Sequence, residues 1–308
     1  MGLIKPQKFF RTAPSATTDG FIVVAVLWML GAIGLLASIY AVYVINTAAS
    51  FASYDEQLRA DALVSAALEL TAYRQLTQPP QSRLTSGQFS FHLGRADVAV
   101  EFQSETARID LNAAPKQLLA GLFRTLGASS QNSDVYADRV VSWRTAVAKD
   151  QDSEGSAYRT AGLGYQPRGA KFPHTNELSL VRDLPASLVE RALPFITVYS
   201  GRPQINVLDA APEVIAALPG MTSEYLRAFL GQRRVAPENT KTLLPKEAQQ
   251  YATFDGGKTF RITVNTVFDN GHRQNAQAVI LLFDAGDQPF AVLSRNDGFN
   301  PMIGDNQP

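Results

Sequence analysis

Four acidic side chains have the types and spacing that could bind a metal ion. Asp150, Asp152 and Glu154 stand at alternate positions in a loop over residues 149–158, and Glu177 follows further along the chain. Alternate acids in a loop with Gly and Ser can direct their oxygen atoms to one point, and Ca²⁺ takes about six to eight oxygen ligands. The loop lacks EF-hand spacing, so a solvated acidic loop is the alternative. From the residue types and their spacing we predict a calcium site formed by these four acids.

Few other side chains in the sequence have the type and spacing for catalysis or metal binding. The chain has no cysteine, which excludes disulfides, thiolate nucleophiles and cysteine metal sites. Its three histidines, His92, His174 and His272, fall on a predicted strand, a loop and a hairpin edge, and they show no metal-ligand spacing. No nucleophile elbow or complete phosphate loop is present. We therefore expect that the protein is not an enzyme; a membrane-tethered enzyme with an unrecognised carboxylate site is one alternative.

The charge balance argues against nucleic-acid binding. Lys plus Arg number 28 and Asp plus Glu number 28 in 308 residues, so the formal net charge is zero. Phosphate binding needs clustered, uncompensated positive charge. Residues 205–247 resemble a helix-hairpin-helix module, but they hold five basic and five acidic residues, and Thr222 stands where such hairpins have a second glycine. We expect a structural use of this module and no nucleic-acid partner; a DNA-uptake receptor is the other alternative.

An uncharged apolar segment covers residues 21–45. As a helix its 25 residues would span about 37 Å, enough to cross a hydrocarbon core of about 30 Å. Lys5, Lys8 and Arg11 precede it against one acid, Asp19. The positive-inside bias therefore places the N-terminus in the cytoplasm and the bulk of the chain across the membrane.

The pattern beyond the membrane predicts an α+β fold. The helix continues to about residue 76, and we expect the following stripe to pack on a sheet: Leu58, Ala62, Ala66, Leu70 and Tyr73. Alternating runs predict a hairpin within 89–102 and a C-terminal meander of strands at 259–268, 276–283 and 290–293. Helical runs lie between them, at 115–126, 133–147, 184–193, 212–218 and 222–233. A mostly helical domain is thus inserted between the strands of a small antiparallel sheet.

A short repeat marks two helix starts in this domain. Residues 111–115 (LNAAP) are echoed by residues 208–212 (LDAAP), and a short amphipathic helix is predicted after each. We expect Asn112 and Asp209 to cap the backbone N–H groups of these helices.

The segment before the apolar helix resembles the class III leader of type IV pilins and pseudopilins. In that family a prepilin peptidase cuts between a glycine and a phenylalanine, here Gly20 and Phe21, and methylates the new N-terminus at Phe21. An uncut single-pass anchor is the alternative. Most family members have a glutamate at the fifth mature position, whereas this chain has Ala25. In lacking this carboxylate, the chain resembles the K-class minor pseudopilin, which lies at the tip of the filament in type II secretion.

Further segments carry the same resemblance over nearly the whole chain. They are VLWML at 26–30, RIDLNAAP at 108–115, LL at 118–119, YQP at 165–167, ELSLV at 177–181, ITVYS at 196–200, AAP at 210–212 and LPG at 218–220. The resemblance implies a pilin-like long N-terminal helix on a small antiparallel sheet, an inserted α-domain, and a tip complex with I-class and J-class minor pseudopilins. It also implies calcium in the acidic loop, although the acids common after the family's tryptophan are missing after Trp143.

Together these patterns predict a subunit of the type II secretion pseudopilus, anchored in inner-membrane lipid and facing the periplasm. The expected division of the chain is a leader at 1–20, a long helix at 21–80, the first part of the sheet at 81–111, an inserted α-domain at 112–204, a helix-hairpin-helix-like segment at 205–250 and C-terminal strands at 251–308.

Overall fold

The computed structural model describes residues 19–146, 153–236, 240 and 242–298. The α-helices in these ranges are α1 (Asp19–Leu76), α2 (Lys116–Thr125), α3 (Ser130–Arg144), α4 (Ser153–Thr160), α5 (Ala186–Ala192), α6 (Pro212–Ala216), α7 (Ser223–Val235) and α8 (Lys246–Gln249). The strands are β1 (Ser86–Leu93), β2 (Ala96–Ser104), β3 (Ile109–Asp110), β4 (Ile196–Thr197), β5 (Ile205–Asn206), β6 (Ala252–Thr253), β7 (Thr259–Phe268), β8 (Arg273–Leu282) and β9 (Phe290–Asp297). The expected α+β class is confirmed, and the six-part division of the chain stays a prediction.

The long helix α1 ends where the sequence predicts. It runs for 58 residues to Leu76, and two prolines, Pro79 and Pro80, follow shortly after. Proline lacks the backbone N–H that a helix needs and disfavours helical geometry in the residue before it. The chain forms two compact units that divide within this helix, after Arg59.

The face of α1 that packs on the sheet differs from the expected stripe. The buried side chains between residues 60 and 76 are Ala60, Leu63, Val64, Ala67, Leu68, Thr71, Ala72 and Gln75. In the expected stripe, Leu58 is 59% exposed, Tyr73 is 66% exposed and Ala62 is also exposed, while Ala66 and Leu70 are half-buried. Both faces of this helix carry apolar and small residues, so periodicity alone cannot choose between them.

Five antiparallel strands form one sheet in the order β1-β2-β7-β8-β9. β2 pairs with β7 along its whole length, with Val100 opposite Val264, although the inserted residues separate the two strands in sequence. Alternate residues of β2 are buried, as expected for a sheet with one face on a core. Their side chains join those of β7, β8 and α1 in one apolar cluster, the sheet core. The prediction that the hairpin and the meander share a sheet on the long helix is correct.

The inserted part, residues 106–258, has a separate apolar core. The predicted helices at 115–126, 184–193, 212–218 and 222–233 are present as α2, α5, α6 and α7. α3 begins earlier than expected, at Ser130, because the Ser129 side chain accepts a hydrogen bond from the backbone N–H of Asn132 and caps it. Two parallel pairs, β3 with β4 and β5 with β6, have no sequence signal because each strand has only two residues.

The acidic segment expected to be a loop is helical in its second half. Residues 153–160 form α4, with Glu154 in the first turn. A carboxylate is favourable there because the N-terminal end of a helix carries partial positive charge.

The two sequence repeats form the same turn, but one residue out of register with the sequence echo. Asp110 Oδ1 accepts a hydrogen bond from the backbone N–H of Asn112 at 2.7 Å, and Asn206 Oδ1 accepts one from that of Leu208 at 3.0 Å. An arginine then donates to two backbone carbonyls of each turn: Arg144 to Leu111 and Ala114, and Arg233 to Val207 and Ala210. The structural equivalent of Asp110 is therefore Asn206.

The prediction that Asn112 and Asp209 cap the following helices is wrong. The N-cap residues of α2 and α6 are Pro115 and Ala211, and neither makes a side-chain capping bond. Asn112 instead exchanges two hydrogen bonds with the backbone of Phe172, and Asp209 accepts from Asn206 and Ser86. Both side chains are used in long-range contacts, which a local pattern cannot predict.

Candidate functional site

The predicted cleavage site lies at the start of α1. Among the described residues, one helix is long and apolar enough to cross a membrane, at Phe21–Thr47, with a mean hydropathy of 2.6 and no buried residues. Gly20 and Phe21 both lie within α1, and the Phe21 side chain is 77% exposed. Ala25 is also exposed and presents no carboxylate. The segment can therefore be surrounded by lipid without burying a charge.

The structure describes two of the four predicted calcium ligands, Glu154 and Glu177. Asp150 and Asp152 fall outside the described residues. Glu154 lies in α4, and Glu177 lies in a 3₁₀ helix, Thr175–Leu180. The described residues contain no group of three or more His, Cys, Asp or Glu side chains able to hold a metal ion.

Each of the two described glutamates meets an arginine that the sequence did not indicate. Arg168 Nε donates to Glu177 Oε1 at 2.6 Å, and Arg182 Nη2 lies 3.5 Å from Glu154 Oε1. The sequence interpretation missed both arginines, because ion pairs between loops and helices leave no periodic signal.

Within the described part of the chain, two buried carboxylate oxygens have no hydrogen-bond partner, Glu177 Oε2 and Glu154 Oε1. The Glu177 side chain is only 9% exposed. Leaving a charged oxygen buried and unsatisfied is costly, so such an atom calls for a bound water or ion. Of the two, Glu154 Oε1 already lies 3.5 Å from the Arg182 guanidinium, and whether a cation binds either oxygen stays a prediction.

Aromatic rings pack beside these acids. Trp143 of α3 contacts Tyr158, Tyr165 and Phe172, with ring centroids 5.9 to 6.3 Å apart. The Tyr158 hydroxyl accepts a hydrogen bond from the backbone N–H of Arg182 at 2.7 Å, and burial raises the pKa of Tyr158. The cluster joins α3 and α4 to the segment that holds Tyr165 and Phe172, and to the backbone at Arg182.

The helix-hairpin-helix-like segment directs a basic side chain into the protein. α6 and α7 are joined through Gly220, whose φ is 75°, and the Thr222 side chain accepts from the backbone N–H of Tyr225 to cap α7. Arg233 donates to two backbone carbonyls, and burial lowers its pKa. Its guanidinium is thus committed to the fold, which agrees with a structural use of the hairpin.

The histidines make local contacts. His92 Nδ1 lies 2.9 Å from Asp97 Oδ1, and this hydrogen bond raises the pKa of His92. His174 accepts from the backbone N–H of Asn176. The His272 ring lies 6.0 Å from that of Phe268.

Two comparisons with known proteins give a match. Residues 99–201, about a third of the chain, match the family described as type II secretion system (T2SS), protein K. A chain in the crystal structure of the GspK-GspI-GspJ complex from the type 2 secretion system of enterotoxigenic Escherichia coli has the same fold. Its TM-score is 0.62 at 18% identity, over 80% of this chain and 99% of that chain. No curated protein sequence matches.

Proposed function

We propose that this chain, a K-class minor pseudopilin of the type II secretion pseudopilus by its family match and its fold, occupies the tip of that filament. The observation that carries the proposal is the match of residues 99–201 to protein K, because these residues include most of β2 and much of the inserted part. The sequence prediction of a K-class subunit is confirmed. A structural role in the filament is consistent with the expectation that the protein is not an enzyme.

The absence of a carboxylate at Ala25 supports the terminal position. In a pilin-like filament the glutamate at this position is expected to pair with the N-terminal amine of the next subunit, since an unpaired charge at membrane depth is costly. A subunit with alanine there has no such pair to make with a subunit ahead of it. The inserted part adds a second folded core to the sheet, and we infer that this bulk ends the filament.

We infer that I-class and J-class minor pseudopilins are its partners. Support comes from the shared fold with a chain of the GspK-GspI-GspJ complex. The apolar helix at Phe21–Thr47 would lie in inner-membrane lipid before assembly, with Lys5, Lys8 and Arg11 on the cytoplasmic side and the inserted part in the periplasm. A prepilin peptidase would cut between Gly20 and Phe21 and methylate Phe21.

The test is the intact mass of the full chain after expression with a prepilin peptidase and with I-class and J-class subunits. We expect a mass that lacks residues 1–20 and carries one added methyl group, and we expect both partners to co-purify. An Ala25→Glu variant is expected to be cut as efficiently as the parent. An uncut chain, with the peptidase active on a control pilin, would refute the leader, and a cut chain that purifies alone would refute the partners.

We also propose that Asp150, Asp152, Glu154 and Glu177 bind calcium. The support is chemical: the buried oxygens of Glu154 and Glu177 that lack a hydrogen-bond partner are the hard ligands that Ca²⁺ prefers. A bound Ca²⁺ would supply positive charge and additional coordination to these acids. Arg168 and Arg182 already balance part of the charge, so the residues present fit a structural ion that stabilises this region.

Thermal unfolding of the full chain in detergent tests the calcium proposal. We expect EDTA to lower Tm and added Ca²⁺ to restore it, because an ion bound only by the folded state stabilises it. Glu177→Gln should abolish this response, and Glu190→Gln, at an exposed position of α5, should retain it. Equal melting temperatures in EDTA and Ca²⁺ would refute the site.

A further inference from the structure

The sheet and the inserted part meet through polar contacts. Their apolar cores are separate clusters, and the chain leaves the sheet at Ser104 and returns at Thr259. Hydrogen bonds across the junction join Ser104 Oγ to the Gly256 carbonyl, Ser86 Oγ to Asp209 Oδ1 and Gln103 Nε2 to the Asp209 carbonyl. A polar interface between two cores usually permits relative motion. A fixed orientation would therefore need a stronger contact.

Glu105 makes that contact. It is the first residue after β2 and is completely buried. Its Oε1 accepts a hydrogen bond from Arg261 Nε at 2.6 Å, and its Oε2 accepts one from Arg261 Nη2 at 3.2 Å. Oε2 also accepts from the Thr197 hydroxyl. Since Arg261 lies in β7 of the sheet and Thr197 in β4 of the inserted part, one buried carboxylate joins the two.

Both partners of Glu105 are held within their own part. On the sheet side, Arg261 Nη1 donates to Gln277 Oε1 of β8 at 3.0 Å. On the other side, Thr197 Oγ1 accepts from the backbone N–H of Tyr199 at 3.1 Å, and the Thr197 carbonyl accepts from that of Leu111 at 2.8 Å. If Glu105 moved, neither Arg261 nor Thr197 could move with it without breaking these bonds. The contact is therefore fixed on the sheet side and on the side of the inserted part.

A second arginine strengthens the junction. Arg108 Nη1 lies 3.7 Å from Glu105 Oε1, and Arg108 Nε donates to the Pro194 carbonyl of the inserted part at 3.2 Å. The buried negative charge therefore has positive charge on both sides.

We propose that Glu105, Arg261 and Thr197 form an electrostatic latch that fixes the orientation of the inserted part relative to the sheet. A two-bond pair between a guanidinium and a carboxylate has a strict geometry. Rotation of the inserted part would break the hydrogen bond from Thr197 to Glu105 or pull Glu105 away from Arg261, and loss of the arginine would leave a buried charge unpaired, which is strongly destabilising. If the chain caps a filament as proposed above, a fixed junction lets axial force reach the inserted part.

The test is the distance distribution between two spin labels on the full chain, which has no native cysteine to interfere. One pair, Glu190→Cys with Arg273→Cys, spans the junction between exposed positions of α5 and β8. The control pair, Glu190→Cys with Glu224→Cys, lies within the inserted part. The latch variants are Thr197→Val, which removes the contact from the inserted part alone, and Glu105→Gln. Their matched controls are Thr125→Val and Glu101→Gln, at exposed sites.

We expect both latch variants to broaden the distribution across the junction and to leave the internal pair narrow, while the matched controls change neither. A junction distribution that stays narrow in both variants would overturn the latch. Broadening of both label pairs in both variants would also overturn it, because the cluster would then support the whole fold and not the orientation. The measurement needs no filament, so the latch can fail while the pseudopilin function stands, and co-purification of the partners separates the two.

Discussion

The backbone carbonyl oxygen of Ala217 lies so close to Gly121 that a Cβ atom at position 121 would overlap it. This contact brings the middle of α2 against the C-terminal end of α6, and these are the two helices that follow the sequence repeats. The neighbour is backbone and cannot rotate away, so no side chain fits without shifting a helix.

Gly121→Ala is therefore expected to lower the free energy of unfolding by about 3 kcal/mol or more, the upper end of the cost of overpacking. Gly231→Ala is the matched control, since Gly231 lies within α7 with open space around its Cα, and it should gain up to about 1 kcal/mol from better helix propensity. Urea unfolding followed by circular dichroism measures both. Similar effects of the two changes would contradict the close approach.

The pH dependence of stability should report the buried Glu105. Burial acts to raise the pKa of this carboxyl, but the hydrogen bonds and charge of Arg261, with Arg108 and Thr197, outweigh burial and lower it. A lowered folded-state pKa contributes stability that is complete above the unfolded value of about 4.3 and is lost as the pH falls through the folded pKa. The pKa of Arg108 is lowered to about 10, so this arginine is charged throughout.

We expect the unfolding free energy of the parent chain to fall more steeply on acidification below about pH 4 than that of Glu105→Gln, which has no proton to take up at this site. Urea titrations at a series of pH values measure the difference. Glu101→Gln, on the exposed side of β2, should follow the parent. Parallel acid branches for the parent and Glu105→Gln would show that the carboxyl does not titrate with unfolding.

The two stripes of α1 should differ sharply in their effect on the fold. Leu68 is 4% exposed in the sheet core, so Leu68→Ala should cost about 2 to 5 kcal/mol. Tyr73 is 66% exposed, so Tyr73→Ala should change stability by no more than about 0.5 kcal/mol. Thermal unfolding of the full chain in detergent compares the two variants. A larger loss of stability for Tyr73→Ala than for Leu68→Ala would mean that the stripe first expected from the sequence is the buried one.

Asp110 stabilises the junction of two segments by accepting three hydrogen bonds. The donors are the backbone N–H of Asn112 at 2.7 Å, the backbone N–H of Gly201 at 2.7 Å and the Ser200 hydroxyl at 3.0 Å. Asp110→Asn places an N–H donor among these donors and should cost about 1 to 3 kcal/mol.

Asp138→Asn is the matched control for Asp110→Asn. Its ion pair with Lys116 is exposed, and such pairs contribute about 0 to 1 kcal/mol. Chemical denaturation at neutral pH measures both, and an equal loss in the two variants would mean that the buried hydrogen bonds of Asp110 add nothing.

Much of the fold could be predicted because it depends on neighbours in sequence. The end of α1 follows from Pro79 and Pro80, and the strands β1, β2, β7 and β8 follow from side-chain alternation. The turn at Asn270 and Gly271 marks the hairpin between β7 and β8. These signals act over a few residues, which is why they survive without knowledge of the rest of the chain.

The candidate sites were predictable in position but not in environment. The uncharged segment after Gly20 identifies the helix that could span a membrane, and cleavage before Phe21 stays a prediction. Glu154 and Glu177 could be named as possible ligands. Their pairing with Arg168 and Arg182 could not be predicted. These arginines lie on separate segments that come together in the folded chain, near the aromatic rings around Trp143.

The amino-acid sequence by itself determined the long helix and most of the strands, since local hydrogen bonding and turn chemistry encode them. It also carries the family resemblance. Tertiary structure alone decided which face of α1 is buried, how β2 reaches β7 across the inserted part, and that Glu105 would join Arg261 to Thr197. These outcomes depend on contacts between residues far apart in the chain, where burial and charge pairing, not local propensity, set the free energy.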